Sequence, residues 1–449
     1  MPKLDTRRRP SPPLFVGRGM KNSRKNPLQS RGPWVARTAL MVGWLTGLSL
    51  GGCDALKREE KKGPEGRGGD EKLLRQVETT GDPRLYVETR THMGTLYRLI
   101  VAVDGVKETK VTGPLSPPSV SARKKAKEAC GKAFEEVARV EGLMSVYLKD
   151  SQVSKINRVS KKAAKAQKKR TPPIKVDREV LLVIQEAIQV SRLSKGAFDV
   201  TFAAAGDLWY DREKKKGRVP SKKEVAELLS RVGYKKIEVD EKKKTLSLAA
   251  GQQLGLGGIA KGYALDRAAL TLRENGFKNF IVYGGGDLFV SGRHPDRAWR
   301  VGIQHPRKKG RYFATLDVTN VAVVTSGDYE RYFEQNGKRY HHILDPKTGR
   351  PAEGMRSVTV LSDRAVYSDA MATALFVMGV DKGKRLVDRL SDTEAMLVDS
   401  KNRVVVTSGL KSRIQILMPL EEDKAKKSRA RKTNRSATRP TSRPATSPR

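Results

Sequence analysis

The chain has 449 residues, with 90 Lys and Arg against 49 Asp and Glu, a formal net charge of +41. That charge invites a nucleic-acid reading, but the cations are spread over tails and surface segments such as "SARKKAKEACGK", "SKKAAKAQKKR" and "DREKKKGRVPSKKE". Aromatics are 6%, and neither a basic stripe with stacking residues nor a zinc-finger or helix-turn-helix spacing occurs, so no specific nucleic-acid partner is expected. A basic surface facing anionic lipid headgroups is the plainer account.

In chain order, Arg31 and Arg37 precede an apolar run, Thr38 to Leu50, that ends in Leu50-Gly51-Gly52-Cys53. The run is short for a spanning helix, which needs about 20 residues, and suits the core of a signal peptide. Its end resembles a bacterial lipoprotein cleavage site, which makes Cys53 the lipidated residue. Residues 1–52 are then a leader, with Met20 as an alternative start, and 53–81 a lipidated, flexible linker. With Cys53 so used, no internal disulfide is available, and Cys130 reads as a small core residue. Residues 420–449, rich in Lys, Arg, Ser, Thr and Pro, read as a disordered basic tail.

Residues 82–419 are long enough for a substantial core. "RLYVETRTHMGTLYRLIVAVDG" alternates as a two-stranded hairpin, and Ser121 to Val146 repeats apolar residues at helical spacing. "KKAAKAQKKRTPP" reads as a solvated loop. A helix follows Asp177 from Arg178 to Leu193, and Ser221 with Glu224 forms a capping-box pattern. "KKIEVDEKKKTLSLA" reads as a hairpin. After the glycine-rich stretch "LGLGGIAKGYALD" comes a helix to Asn275, then strands near 280–283, 288–291, 299–304, 312–318 and 322–325. "RSVTVLS" is a further strand, with helices at Ala365–Met378 and Gly383–Leu390. Strands and helices mingle without regular βαβ alternation, which predicts an α+β fold with mixed, largely antiparallel sheets and packed helices.

Four clusters are richer in polar and glycine residues than a core requires. They are Met144–Tyr147 with Asp150, Ser151 and Asn157; Gly196–Thr201; the glycine loop with Lys261; and "HHILDPKTG" with Ser368–Thr373. A glycine loop entering a helix offers free N–H groups and the positive end of a dipole, to which Lys261 adds a cation. Its spacing matches neither a Walker loop nor G-x-G-x-x-G, so phosphate binding and a structural turn both remain open. Asp369 and Thr373 are four apart and share a helix face. With a backbone carbonyl they form an oxygen-only set suited to Mg²⁺, and a nearby histidine could act as general base. Equally, Asp369 could cap the helix that follows it, and His341 and His342 could be strand residues, one inward and one outward.

In this order the motifs resemble the FAD:protein FMN transferases, the ApbE-like flavin transferases, from about Thr91 to Gly379. The resemblance rests on "MGT" (93–95), "MSVYLKDSQVSKIN", "GAFDVT", "LGGIAKGYALD", "GGGD", "TSGDYERYFEQNGKRYHHILDPKTGRP" and "SDAMATALFVMG". It implies an enzyme that takes FAD as substrate with Mg²⁺, attaches FMN to a Thr or Ser hydroxyl of an acceptor flavoprotein, and releases AMP. Carried over by residue, it implies FAD contacts at Met93, Tyr147, Ala197, Phe198, Asp199, Lys261 and Ile343. It also implies Mg²⁺ held by Asp369, Thr373 and the Gly258 carbonyl, with the Ala372 position contributing, and His342 as base. The acceptor is expected to belong to a membrane electron-transfer complex, and the protein to be a lipoprotein facing the periplasm, on the inner membrane by Asp54 after Cys53.

Two positions depart from the family pattern. Gly255 stands where relatives carry the acid of "DLGGIAKG", which takes part in flavin recognition, and Tyr283 stands where they carry Asn. Restoring the acid in Gly255→Asp is expected to tighten FAD binding. The competing readings are a periplasmic FAD pyrophosphatase, with water in place of the acceptor, and a non-catalytic FAD-binding lipoprotein.

Overall fold

Apolar alternation in eight strands builds the central sheet of the structure, a computed structural model that describes residues 82–103, 119–211 and 216–420. The expected leader, Cys53, the linker and residues 421–449 of the tail lie outside the described residues. The strands are β1 (Leu85–His92), β2 (Thr95–Ala102), β3 (Phe280–Gly284), β4 (Asp287–Ser291), β5 (Val321–Gly327), β6 (Met355–Ser362), β7 (Glu394–Asp399) and β8 (Val404–Val406). They lie side by side in chain order, and every adjacent pair is antiparallel.

Successive side chains point to opposite faces of a strand, and here both faces are covered. Leu99 and Val101 of β2, Phe280 and Val282 of β3, and Val358 and Val360 of β6 join the core shared with the helices. Their neighbours Ile100, Ile281 and Leu361 pack instead with Trp299, Val301 and Phe313. Those three come from a second, three-stranded antiparallel sheet of Trp299–Gln304, Tyr312–Val318 and Ile414–Ile416. With layers on both sides, β6 is buried at all eight positions. Each fully buried large apolar side chain, such as Phe134 or Phe280, contributes roughly 1.5–3 kcal/mol.

The helices are α1 (Val120–Met144), α2 (Gln152–Lys165), α3 (Arg178–Leu193), α4 (Ala203–Trp209), α5 (Lys222–Ser230), α6 (Ala260–Glu274) and α7 (Ala365–Val387). Ser119, Ser151 and Asp177 cap α1, α2 and α3 through their side chains, and Ser221 with Glu224 forms the predicted capping box of α5. Helix α1 buries Ala126, Ala129, Cys130, Ala133, Phe134, Val137, Val140 and Met144, the three-and-four spacing of one helical face.

One expectation changes. The segment from Lys161, read as a solvated loop, continues α2 as far as Lys165, because Val153, Ile156, Ser160 and Ala163 bury one face beneath the lysines. The two helices expected at 365–378 and 383–390 both form within α7, on either side of Gly379, whose left-handed φ of 76° breaks the helical backbone between them. The hairpin expected at 235–249 forms (Glu238–Asp240 with Thr245–Ser247) and gains Ile174–Lys175 as a third strand.

Candidate active site

The glycine loop is held from below by its apolar residues and from the side by a distant amide. Leu254, Leu256 and Ile259 are fully buried. Asn157 of α2 donates to the Leu254 carbonyl at 2.8 Å and accepts its N–H at 2.7 Å, pinning the loop at both backbone groups. At Gly257 a side chain would meet nothing within 4 Å, whereas one at Gly258 would press on the Phe198 ring at 3.2 Å and face Thr373 Oγ1 at 3.5 Å. Gly258 therefore sits between a ring from the 196–201 turn and a hydroxyl from α7.

Helices α6 and α7 cross in direct backbone contact. A Cβ at Gly262 would fall 2.2 Å from the Ala365 carbonyl oxygen, so only glycine fits the crossing. Asp369 Oδ2 accepts the Gly262 N–H at 3.0 Å, which brings the α7 carboxylate to the first turn of α6. The reading of Asp369 as a helix cap fails: α7 begins a turn earlier, and Asp266 of α6 caps it by accepting the Ala365 and Val366 N–H groups at 2.8 and 2.9 Å.

Lys261 projects from the same turn and pairs with Asp287, at the start of β4. The "GGGD" sequence explains that placement. Gly285 and Gly286 both have positive φ (59° and 96°), the two-residue turn that joins twisted antiparallel strands and pairs Gly284 with Asp287. The other Asp287 oxygen accepts the Thr325 N–H at 3.1 Å. Burial pushes Asp369 up to about 6, with Lys261 opposing and Asp287 reinforcing the rise. For Lys261, burial works against the charge, but the Asp287 and Asp369 carboxylates outweigh it and raise the pKa.

Thr373 lies one turn beyond Asp369, with Ser326 Oγ 3.3 Å from its hydroxyl. The Asp369 carboxylate, the Thr373 hydroxyl and the Gly258 backbone form an all-oxygen donor set, without imidazole or thiolate, which fits a hard divalent cation such as Mg²⁺. Ala372 is fully buried in the core side of α7.

The two histidines have different jobs. His341 is buried: its Nε2 contacts the Ala352 carbonyl at 2.9 Å, its Nδ1 accepts the Ile343 N–H at 3.3 Å, and its ring stands edge-on to Phe376 of α7. His342 is exposed, with Nδ1 3.2 Å from the Arg331 carbonyl. A carbonyl can only accept, so Nδ1 carries the proton and Nε2 keeps a free lone pair. Desolvation by the surrounding protein holds the His342 pKa below the usual imidazole range, assisted by the charges of Arg331, His341 and Lys261 and opposed by the hydrogen bond to the Arg331 carbonyl.

The remaining expected residues divide. Met93 occupies the β1–β2 turn at a φ of 50°; its N–H donates to Glu141 at 2.8 Å and its sulfur accepts the Tyr97 hydroxyl at 3.1 Å. Tyr147 is 67% exposed. Ala197, Phe198 and Ile343 are buried. Asp199 binds Thr201 N, Thr201 Oγ1 and Tyr234 N at 2.8, 2.6 and 2.8 Å, so its carboxylate is committed to shaping the turn that carries Phe198. At Gly255 a Cβ would lie 2.7 Å from the Ala203 Cβ and 3.1 Å from its Cα. The expected gain from Gly255→Asp is therefore opposed by α4. The sequence pattern pointed to no role for Asp287, Asp266, Ser326 or Glu141, although the glycine pair before Asp287 carried a local signal; Asn157 stood in the first polar cluster, and its clamp on the loop is what the structure adds.

A second group of metal-ligand types, Asp82, His294 and Asp296, lies at the opposite end of the strands. It is closed by Arg84, which reaches Asp82 at 2.7 Å and Asp296 at 2.6 Å, so the guanidinium already supplies the cation. A cavity of about 60 Å³ between the two sheets, lined by Ile100, Ile281, Val301 and Val323 among others, is mainly apolar and lies across the sheet from α7.

Comparison with known proteins agrees with this arrangement. The model of the ApbE family matches residues 93–397. The FAD:protein FMN transferase of Haemophilus influenzae is 32% identical over 277 residues, 60% of this chain and 78% of that protein. That of Treponema pallidum is 34% identical over 265 residues, 55% and 72% of the two chains. Among solved structures, the ApbE protein of Thermotoga maritima superposes with a TM-score of 0.62 at 31% identity, covering 73% of this chain and 99% of that one. The flavin transferase ApbE of Vibrio cholerae gives a TM-score of 0.60 at 26% identity, over 73% and 99%. With a family match across most of its length and the glycine loop, histidine and α7 oxygens gathered on one side of the sheet, the chain belongs to the ApbE family.

Proposed function

We propose that the protein transfers FMN from FAD to a Thr or Ser hydroxyl of an acceptor flavoprotein and releases AMP. The observation that carries this reading is the convergence of Lys261, Asp287, Asp369 and Thr373 beside the glycine loop, with His341, the chain neighbour of His342, packed on Phe376 of the same helix α7. In the step, the acceptor oxygen bonds to the FMN phosphorus, and the bond from that phosphorus to the bridging pyrophosphate oxygen breaks. The acceptor proton passes to His342 Nε2, and AMP carries away the electron pair. Lys261 and the loop N–H groups bind phosphate oxygens, and Tyr147 offers a ring to the ligand. Asp369, Thr373 and Gly258 would hold Mg²⁺, which supplies neutralisation of the pyrophosphate charge.

The exposure of His342 favours one second reading, in which water replaces the acceptor and FAD is hydrolysed to FMN and AMP. Incubation with FAD, Mg²⁺ and a flavoprotein acceptor, followed by a denaturing gel, separates the two. Covalent flavin fluorescence on the acceptor supports transfer; FMN and AMP without labelled protein support hydrolysis; bound, unchanged FAD would contradict both and leave storage. The lipoprotein-like Leu50–Cys53 sequence supports a membrane-anchored protein facing the periplasm, with an acceptor in a membrane electron-transfer complex. Labelling with a radioactive fatty acid, lost in Cys53→Ser, tests the anchor.

A further inference from the structure

Helix α2 and the segment after it carry a density of charge that the proposed reaction does not use. Residues 155–170 contain eight Lys and Arg and no carboxylate. The apolar face of α2 is buried through Val153, Ile156 and Ala163, so the cations stand on its outer side, where Lys161, Lys162, Lys165, Lys168 and Lys169 are all exposed. Among the described residues none of these five lysines forms an ion pair; the Arg170 guanidinium meets Glu238 at 3.2 Å. The face continues beyond the helix. Arg170 donates to the Lys236 carbonyl at 2.8 Å, and the Arg231 side chain lies beside Ala164 around Gly251, with Arg231, Lys235 and Lys236 exposed. Uncompensated like charges repel one another, so the patch costs stability when it faces water alone.

We propose that this face is an electrostatic docking surface for anionic lipid headgroups. Its composition selects that partner. Residues 152–170 contain no aromatic side chain, which removes the stacking platforms of a single-stranded nucleic-acid groove. Lysines dominate, and lysine is depleted from protein–protein interfaces, whose anchors are arginine and aromatic residues. Flexible point charges on a convex helix suit mobile phosphate headgroups, each lysine adding to attraction that decays within a Debye length. Reach is not limiting, because the stretch from Cys53 to Asp82 can span roughly 100 Å. A lipid anchor and a polybasic face are together the two signals of stable membrane attachment. Because Asn157 of α2 clamps Leu254, docking through this face would also fix the glycine loop relative to the membrane plane.

The test is lysine footprinting by acetylation and mass spectrometry on the full chain bound to vesicles of phosphatidylcholine alone or with about one third phosphatidylglycerol. The expected result is severalfold lower reactivity of Lys161, Lys162, Lys165, Lys168 and Lys169 on the anionic vesicles, with Lys384 and Lys401 unchanged. The protection should vanish at about 0.5 M salt, where the Debye length falls to a few ångströms. In K161Q/K162Q/K165Q, protection of the remaining Lys168 and Lys169 should weaken while FMN transfer to a soluble acceptor persists. Equal reactivity on the two vesicle types would overturn the proposal. So would stronger protection by a short oligonucleotide, or by an acidic protein, at matched charge.

Discussion

The Lys261 ammonium is paired with the Asp287 carboxylate, whose second oxygen accepts the Thr325 N–H at 3.1 Å. The helix cation that faces the glycine loop is thus aimed by the first residue of a sheet strand. Asp287→Asn keeps the shape and removes the charge that orients Lys261. Losses from such supporting residues run to about 10–100-fold in activity, and that is the expected fall in FMN transfer. Steady-state kinetics against FAD check it; an unchanged kcat/KM would show that Lys261 needs no partner.

Asp266 makes folding sensitive to pH. Burial pushes its pKa up to about 7 against the pull of the Val366 and Ala365 N–H groups and of Arg364, whereas the unfolded value is 3.8. The folded state holds this proton more tightly, so the group's contribution is full below pH 3.8 and lost as pH rises through about 7. Stability relative to Asp266→Asn should fall across that window by up to about 1.4 kcal/mol per pH unit. Urea midpoints of the two proteins at pH 5 and pH 8 measure it, and parallel changes would refute the assignment.

Gly255 tests whether a family-like acid can be restored by one change. The built Cβ lies 2.7 Å from that of Ala203, so Gly255→Asp must displace α4. Overpacking of this kind costs typically 1–3 kcal/mol, about the loss expected here, with no gain in FAD affinity. Ala203→Gly alongside it should recover part of the stability. Calorimetric titration with FAD that shows tighter binding in the single variant would contradict this.

The pH profile of transfer should reflect His342. Protein crowding and the nearby Arg331, His341 and Lys261 charges disfavour its protonated form. The neutral ring, the form able to accept a proton, therefore persists below the ordinary imidazole value of 6.5. The acid limb of single-turnover transfer should lie below pH 6.5, and a limb at or above that value would place the base elsewhere or deny the shift.

The sequence made much of this molecule readable, because several of its devices are local. The β1–β2 hairpin, the capping box of α5 and the pairing of Asp369 with Thr373 on one helix face follow from spacing alone. What stayed hidden is made between distant segments. The Asn157 clamp on Leu254 and the Asp266 cap on α7 join residues 97 and 99 positions apart, and the Asp369 bond to Gly262 joins residues 107 apart. The end of helix α2 is hard to read for another reason: its lysines mask a narrow buried stripe, and such charge density is also what a solvated loop carries. Asp199 shows the converse: a carboxylate in a ligand-like motif also has a structural task, accepting the N–H groups of Thr201 and Tyr234.

The central claim is that binding and proton transfer are divided between the Lys261–Asp369 cluster and His342. The most direct test measures, in His342→Ala, both the FAD dissociation constant and the single-turnover rate of FMN transfer to the acceptor in the presence of Mg²⁺. FAD affinity should stay within about threefold of wild type while the rate falls by about 10²–10⁴, the range for a general base. A variant that labels the acceptor at the wild-type rate, or that loses FAD binding and rate in equal measure, would contradict the account.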